Sequence, residues 1–249
     1  MIRGMIFDLG STLIHRTGLE LERVKCAALA SFAASDYGCG DPETFAARLL
    51  EIRLAGWKRS EEALVEVAAT ASFAEAFAAV GLDLTETALS LAETVFFEPE
   101  VRISRLYPSA AETLEALTGM GLRLGMISNA TSHRLVVDIA RRHGIDRYFD
   151  PIVTSMGYGR PKPHPGIFRH VLEGWRLQPD DVVMVGDTLG ADILGANTVG
   201  MRSILVDIEP NPDNPRYAAQ ARPTAAVARL DEIPALIRAW NDAEPDRRP

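Results

Sequence analysis

Four short stretches of the chain place polar side chains directly after apolar runs. The first is the Met-Ile-Phe run of residues 5–7, which ends in the carboxylate Asp8 and is broken by Gly10. An apolar run bounded by a turn signal predicts a buried strand of a parallel sheet. Open parallel sheets bind ligands at the carboxyl ends of their strands, so Asp8 is a candidate reactive group. The alternative is a solvated carboxylate at a strand end.

The second and third stretches offer a hydroxyl, an amide and a cation. Ser128 and Asn129 follow the apolar run 124–127. A small hydroxyl there can donate to a phosphate oxygen, although serine before a helix is more often a cap. Lys162 is one of only three lysines and stands between two prolines, which restrict its backbone. An ammonium held in this way suits a phosphate or a carboxylate.

The fourth stretch adds two carboxylates. Asp187 follows the predicted strand 182–185, and Asp192 lies near the start of the predicted helix 189–199. Aspartate near a helix start is commonly structural, because it complements the helix dipole. If Asp8 and Asp187 meet beside a phosphate, however, they repel one another. A hard divalent cation with oxygen ligands would relieve this repulsion, and Mg²⁺ is the natural choice.

In this order and at these intervals, the four stretches resemble motifs I to IV of the haloacid dehalogenase superfamily, which includes the aspartate-nucleophile phosphatases. The matching residues are Asp8, Thr12 and Leu13 for motif I, Ser128 for motif II, Lys162 for motif III, and Asp187 and Asp192 for motif IV. Motif I differs at two positions: Gly10 replaces a second Asp and Ser11 replaces a Gly.

The resemblance implies a Mg²⁺-dependent hydrolase that acts on small phosphorylated metabolites through an aspartyl-phosphate intermediate. The implied catalytic residues are Asp8 as the nucleophile, Lys162, and Asp192 as a carboxylate that orients Lys162 or metal-bound water. The implied metal ligands are Asp8, Asp187 and the backbone carbonyl of Gly10. The implied phosphate-binding residues are Ser128, Asn129 and Lys162.

Gly10 leaves open how such an enzyme would work, because it cannot replace the general acid and base of the superfamily. A phosphatase could use another group, such as His15, or a substrate whose leaving group needs little help. A 2-haloacid dehalogenase-like hydrolase would also lack this Asp, but such members typically have an aromatic residue there and lack an intact motif IV. A weakly active or inactive binding or regulatory protein is a third interpretation. A phosphonoacetaldehyde hydrolase-like reaction would need Lys25 or Lys58 as a Schiff-base lysine.

The segment between the first two motifs differs in composition, being rich in Ala, Leu and Glu. Apolar residues at helical spacing predict four helices, with starts at Asp41, Ser60 and Thr85 for the last three. The last helix is predicted to end near Phe97, before a proline. The segment resembles the helical cap of one branch of the superfamily. The predicted domains are a core of residues 1–16 and 100–249 and a cap of residues 17–99.

From residue 106 onward, strands alternate with helices, which predicts an α/β fold with a doubly wound parallel sheet. Ser109 and Glu112 predict a capping box at the first of these helices. No G-x-G-x-x-G follows the first strand and no Walker lysine motif occurs, which argues against a nucleotide-binding protein. The remaining predicted strands are 122–127, 152–154, 203–206 and 225–228, and the remaining predicted helices are 132–143, 165–177 and 233–240.

Composition sets broad limits on partners and location. The 249 residues are 47% hydrophobic and carry a net charge of −8, without a Lys/Arg-rich stripe, so we expect no nucleic-acid partner. Cys26 and Cys39 have no metal-binding spacing and suit a reducing cytosol, and we expect a cytoplasmic protein with no signal peptide and no membrane span. The specific substrate and the oligomeric state are not predicted.

Overall fold

The computed structural model describes residues 1–15 and 17–243. The chain divides into two compact units. The sheet unit comprises residues 1–16 and 105–249, and the helical unit comprises residues 17–104.

The helical unit consists of four helices with an aromatic core. The ring centroids of Phe45 and Phe77 lie 4.9 Å apart, and those of Phe73 and Phe96 lie 4.8 Å apart, all four rings being buried. Stacked and edge-on aromatic contacts of this kind stabilise a core beyond their buried area. The helices are α1 (Leu19–Tyr37), α2 (Pro42–Ala63), α3 (Ala69–Ala78) and α4 (Glu86–Ile103).

Two of the three helix starts predicted for this unit agree with the structure. The Asp41 side chain accepts a hydrogen bond from the Thr44 N–H at 3.0 Å, and Thr85 accepts one from the Ala88 N–H at 3.3 Å. Both predicted N-caps are therefore correct. The predicted start at Ser60 is wrong, because Ser60 lies inside α2. That helix contains no breaker after Gly56 and ends only where Leu64 adopts a left-handed backbone with φ 49°.

The end of α4 also differs from the prediction. The helix was expected to stop near Phe97, but it continues through Pro99 to Ile103. A proline inside a helix removes one backbone hydrogen bond and costs about 3 kcal/mol. Here Phe96 and Phe97 are buried on the preceding turn, and their packing offsets that cost.

The sheet unit is built on six parallel strands. They are β1 (Gly4–Phe7), β2 (Arg123–Ser128), β3 (Ile152–Thr154), β4 (Val182–Gly186), β5 (Arg202–Val206) and β6 (Ala225–Val227). Their order in the sheet is β3-β2-β1-β4-β5-β6, and every pairing is parallel. The chain winds one way from β1 to β3 and the other way from β4 to β6, with the reversal between β1 and β4. The predicted doubly wound parallel sheet is confirmed.

Helices connect the strands of this unit. They are α5 (Ala110–Gly119), α6 (His133–Arg142), α7 (Ser155–Tyr158), α8 (Pro165–Trp175), α9 (Leu194–Val199) and α10 (Ile233–Ala243), with a π-helical turn over Leu189–Ile193 before α9. The predicted capping box at Ser109 is wrong. Its φ of 63° is left-handed, whereas a capping residue needs an extended backbone to direct its side chain at the helix amides. Among the described residues, no helix has both the length and the apolar character needed to cross a membrane.

Two glycines bring α8 close to the sheet. A Cβ on Gly4 would lie 2.7 Å from the Trp175 ring, and one on Gly125 would lie 2.9 Å from it. Only glycine permits these approaches. The Trp175 indole N–H also donates to the Asp150 carbonyl at 2.8 Å. The C-terminal end of α8 is thus fixed to β1 and β2, and its N-terminal end follows Lys162 by three residues.

Candidate active site

Asp8 and Asp187 lie at the ends of neighbouring strands. Phe7 of β1 pairs with Val185 of β4, and the Asp8 N–H donates to the Val185 carbonyl at 2.9 Å. These are the two strands between which the sheet order reverses, where α/β proteins bind ligands. Both carboxylates are buried.

Lys162 joins this pair from the loop before α8. Its ammonium donates to Asp8 Oδ1 at 2.6 Å and to the Ile127 carbonyl at 2.7 Å, and it lies 2.7 Å from Asp192 Oδ1. Two hydrogen bonds and the ion pair with Asp192 therefore hold the Lys162 ammonium in place. Burial alone would lower the pKa of Lys162, but the negative charges of Asp192 and Asp8 outweigh burial and raise it above its usual value.

Asp192 reaches the site because Gly186 has no side chain. A Cβ on Gly186 would overlap the Asp192 carboxyl group, so glycine is required before Asp187. The other carboxylate oxygen of Asp192 accepts from the Thr188 N–H at 3.0 Å. Burial raises the pKa of Asp192 against the opposing charge of Lys162, and the charge of Asp8 raises it further.

The Asp187 carboxylate is held by donors that sequence reasoning did not assign. Asn211, in the loop after β5, donates to Oδ2 at 2.8 Å. Thr188 donates to Oδ1 at 3.2 Å, and Thr12 donates to the same oxygen at 3.5 Å. Burial, followed by the charge of Asp8, raises the pKa of Asp187, and the hydrogen bond from Asn211 opposes that rise.

The three carboxylates fit a hard divalent cation. One oxygen from each of Asp8, Asp187 and Asp192 lies within 4.8 Å of the others, and no second such cluster of acidic, histidine or cysteine residues occurs in residues 1–15 and 17–243. Three buried carboxyl groups face one ammonium, so two negative charges are uncompensated when all three are ionised. An all-oxygen donor set with this excess charge is the type that Mg²⁺ binds.

Gly10 lies in open space. Apart from Gly10 and its two chain neighbours, no described residue has an atom within 4 Å of the position that its Cβ would take, and its backbone is not left-handed. Ser11 has φ 58°, a conformation that glycine adopts without strain, which explains physically why the motif has glycine there. His15 hydrogen-bonds to Glu209 at 3.0 Å and its ring lies 4.2 Å from that of Tyr107.

Ser128 and Asn129 lie at the end of the strand beside β1. Ser128 is buried at the end of β2, directly after the carbonyl that Lys162 contacts. The Asn129 side chain clamps the backbone of Lys162 at two points. Its amide donates to the Lys162 carbonyl at 2.9 Å, and its oxygen accepts from the Lys162 N–H at 2.8 Å. The structure therefore brings the side chains of Asp8, Lys162, Asp187 and Asp192 together and engages the side chain of Asn129 with Lys162.

A model of haloacid dehalogenase-like hydrolases matches residues 2–200, which include all four motifs. The chain belongs to the haloacid dehalogenase-like hydrolase family. Membership in this family, predicted from the motifs, is confirmed.

Curated relatives of the family match over part of the chain. The Xenopus laevis haloacid dehalogenase-like hydrolase domain-containing protein 3 is 35% identical over 133 residues, 53% of this chain and 54% of the relative. The glyceraldehyde 3-phosphate phosphatase of Methanothermobacter thermautotrophicus is 36% identical over 121 residues, 49% of this chain and 53% of the relative. This chain spans about half the length of the curated relatives it matches.

Solved structures of the family match over nearly the whole chain. A 2-haloacid dehalogenase from Pseudomonas syringae has a TM-score of 0.73 and 26% identity, covering 96% of this chain and 100% of that one. A phosphatase of the family from Thermococcus onnurineus has a TM-score of 0.64 and 20% identity, and the match covers 95% of this chain and 98% of that one. The second likeness establishes the fold alone.

Proposed function

We propose that this chain is a Mg²⁺-dependent hydrolase of small phosphate monoesters that forms an aspartyl-phosphate on Asp8. The observation that carries the proposal is the buried cluster of three carboxylates, Asp8, Asp187 and Asp192, which has the single ammonium of Lys162 as its cation. A buried excess of two negative charges is unfavourable unless a cation occupies the site or a carboxylate takes up a proton, and a cation keeps Asp8 ionised as a nucleophile. The phosphatase names of curated relatives, such as glyceraldehyde 3-phosphate phosphatase and phosphoglycolate phosphatase, support the substrate class.

In the proposed site, Asp8, Asp187 and the Gly10 carbonyl hold Mg²⁺. When bound, the ion supplies the positive charge that lets a phosphate approach three carboxylates. Ser128, the amide region of Asn129 and Lys162 bind the oxygens of the substrate phosphate. The side chain of Asn129 also holds the Lys162 backbone in place. Asp192 orients Lys162 through their 2.7 Å ion pair.

The proposed reaction has two steps. An Asp8 carboxylate oxygen attacks phosphorus, and the ester P–O bond breaks with its electron pair going to the leaving oxygen. Water then attacks phosphorus, the P–O bond to Asp8 breaks, and the carboxylate is restored together with inorganic phosphate. Lys162 orients Asp8 in both steps through the 2.6 Å contact with Oδ1.

The lack of a carboxyl group at Gly10 shapes the choice of substrate. The departing oxygen receives no proton from this position, so it must leave with more negative charge. A positioned acid typically contributes about 10²–10⁴-fold. Aryl, acyl and anomeric sugar phosphates should therefore react faster than simple alkyl phosphates.

We also propose that the helical unit is the cap of this hydrolase, with the sheet unit as its core, and that the cap selects the substrate. Its last helix, α4, ends at Ile103, which moves the proposed boundary from residue 99 to residue 104. Cys26 and Cys39 are free thiols, which supports a reducing, cytoplasmic location.

A 2-haloacid dehalogenase-like hydrolase is the second candidate. Two observations favour it: Gly10 lacks the carboxyl group of the phosphatases, and the Pseudomonas syringae dehalogenase is similar over its whole length. In that reaction Asp8 would displace a halide from carbon, and no metal would be needed. Asp187 is the residue that this candidate leaves without a role.

The two candidates separate in one experiment. Phosphate release from a panel of aryl, acyl, sugar and alkyl phosphates is measured with Mg²⁺ and with EDTA, and chloride release from chloroacetate is measured alongside. Phosphate release that requires Mg²⁺ supports the phosphatase. Chloride release in EDTA supports the dehalogenase, and release of neither ion supports a binding or regulatory protein.

A further inference from the structure

The loop after β5 reaches back to the motif IV turn through two asparagines. Asn211 donates to Asp187 Oδ2 at 2.8 Å and to the Thr188 hydroxyl at 3.3 Å. Asn214 donates to the Asp187 carbonyl at 2.9 Å and accepts from the Leu189 N–H at 2.7 Å. Between them they hold the carboxylate of Asp187 and the backbone on both sides of Thr188. We call residues 209–217 the asparagine loop.

The sequence of this loop, Glu-Pro-Asn-Pro-Asp-Asn-Pro-Arg-Tyr, limits its freedom. Prolines flank Asn211 on both sides, and Pro215 follows Asn214. Because proline fixes φ and restricts the residue before it, the asparagines lose little backbone entropy when they bind the turn. The loop lies outside residues 2–200, the part of the chain that the family model matches. Its contacts with Asp187 are therefore a feature of this chain beyond the matched motifs.

Packing keeps the loop on the motif IV turn. The Tyr217 ring lies so close to Gly190 that a Cβ there would overlap it. Tyr217 also packs against the buried cluster of Leu189, Ile193 and Ala221. The apolar contacts of Tyr217 and the hydrogen bonds of the two asparagines together fix the position of the Asn211 side chain.

The three side chains that donate to the Asp187 carboxylate differ in their distance from it, in the oxygen they contact and in their chemical type. The contact from Asn211 is the shortest of the three, and it is the one made to Oδ2. A carboxylate buried beside Asp8 turns away from its neighbour unless donors fix it. A neutral amide does this without adding a positive charge that would compete with a cation.

We propose that Asn211 is a positioning residue that orients the Asp187 carboxylate for Mg²⁺, with Asn214 fixing the backbone that carries it. This inference rests on the proposed metal site. Hydrogen-bond partners of metal ligands typically contribute about 10–100-fold to metal affinity. Asn211 should therefore set the affinity for Mg²⁺ more than the rate once Mg²⁺ is saturating.

The test is Mg²⁺ binding by the full chain, measured with magnesium chloride alone by isothermal titration calorimetry. Asn211→Ala should raise the Kd for Mg²⁺ about 10-fold. Asn211→Ser should raise the Kd for Mg²⁺ by a similar factor, because the serine side chain is too short for its hydroxyl to reach Asp187. This second variant provides the test if the alanine variant does not fold. Asn241→Ala is the matched control, because Asn241 accepts from the Ile2 N–H at 2.6 Å, at the opposite end of β1. Its Kd should equal that of the natural chain.

A kinetic readout separates positioning from a general loss of structure. In phosphate release, the Mg²⁺ concentration for half-maximal rate should rise in Asn211→Ala by the same factor as Kd, whereas the rate at saturating Mg²⁺ should change less than about twofold. If both Asn211 variants bind Mg²⁺ as the natural chain does, the inference is wrong and the proposed function stands. If the natural chain neither binds Mg²⁺ nor releases phosphate, the proposed function itself is wrong.

Discussion

Each of the two units contains a cluster of four charged side chains, all buried except the partly buried Glu100, and the clusters differ in their balance of positive and negative charge. In the helical unit, Lys25 lies 2.6 Å from Glu22 and 2.7 Å from Glu100, and the Arg53 guanidinium contacts Glu22 at 2.5 Å. Two cations thus meet two carboxylates. In the sheet unit, one ammonium meets three carboxylates. The balanced cluster is complete with its own partners, whereas the acidic cluster needs a further positive charge.

This difference helps to decide which cluster carries chemistry. Lys25 and Arg53 also lie over the Phe96 and Phe97 rings, so the balanced cluster is part of the aromatic packing of its unit. A Schiff base on Lys25 would require this lysine to give up both carboxylate contacts. Lys58, the other candidate, is largely exposed and lies 3.9 Å from Glu62. These contacts argue against a phosphonoacetaldehyde hydrolase-like reaction.

Lys162→Met should have the largest effect of the proposed variants on unfolding free energy and on phosphate release. It removes the one cation of the acidic cluster and keeps the length of the side chain. Breaking a buried charged contact typically costs about 3–5 kcal/mol, so the metal-free variant should lose about that much unfolding free energy in urea. Mg²⁺ should restore part of this loss, while phosphate release stays orders of magnitude lower. A variant whose stability is equal with Mg²⁺ and with EDTA would contradict the charge-excess argument.

Glu22→Gln tests the balanced cluster in the same assay. It removes the charge of the carboxylate that Arg53 contacts and one of the two carboxylate charges beside Lys25, and should cost about 3 kcal/mol of unfolding free energy. Unlike the loss in Lys162→Met, this loss should not respond to Mg²⁺. The control is Glu62→Gln, which breaks an exposed pair and should change stability by less than about 0.5 kcal/mol. A Glu22 variant as stable as that control would show that the balanced cluster is not structural.

Asn129→Ala should have a smaller effect, confined to the acidic cluster. It removes the two hydrogen bonds that fix the Lys162 backbone, together worth about 1–2 kcal/mol. The loosened ammonium should lower kcat for phosphate release about 10-fold, with Mg²⁺ affinity unchanged. Asn241→Ala serves again as the control. A change in Mg²⁺ affinity with no change in kcat would place Asn129 in a different role.

Gly10→Asp should have the smallest effect and the opposite sign. The open space around Gly10 accepts a carboxyl group without a clash. An introduced acid that lacks optimised positioning should give less than the about 10²–10⁴-fold of a positioned one, so we expect a rise of up to about 10-fold on alkyl phosphates and almost none on aryl phosphates. Parallel changes on both substrates would mean that another group, such as His15, already protonates the leaving oxygen.

Sequence reasoning reached the sheet and the positions of the acidic residues because both depend on local signals. Apolar runs that end in Asp8 and Asp187 specify strands and their carboxyl ends, and parallel order then brings those ends together. The requirement for Gly186 was not predicted, because it depends on how closely the Asp192 carboxyl group approaches the backbone.

The remaining features depend on contacts between residues distant in sequence. Asn211 lies 24 residues from Asp187, and nothing in its neighbours except the prolines marks it. The Asn129 side chain contacts the backbone of Lys162, 33 residues away, and no local signal in the sequence marks that contact. The predicted end of α4 was wrong because packing outweighed the helix-breaking tendency of Pro99. The predicted capping box was wrong because Ser109 has a left-handed backbone.

The central claim is that the acidic cluster is a phosphatase site with Asp8 as its nucleophile, and trapping the intermediate tests it most directly. The natural chain and Asp8→Asn are mixed with an aryl phosphate and Mg²⁺, quenched in acid within one turnover, digested and analysed by mass spectrometry. A phosphoryl group on Asp8 that is absent in EDTA and in the Asp8→Asn variant is the expected result. The same assay is run with chloroacetate in EDTA. The account would be contradicted if chloroacetate forms an ester on Asp8 while the aryl phosphate leaves Asp8 unmodified.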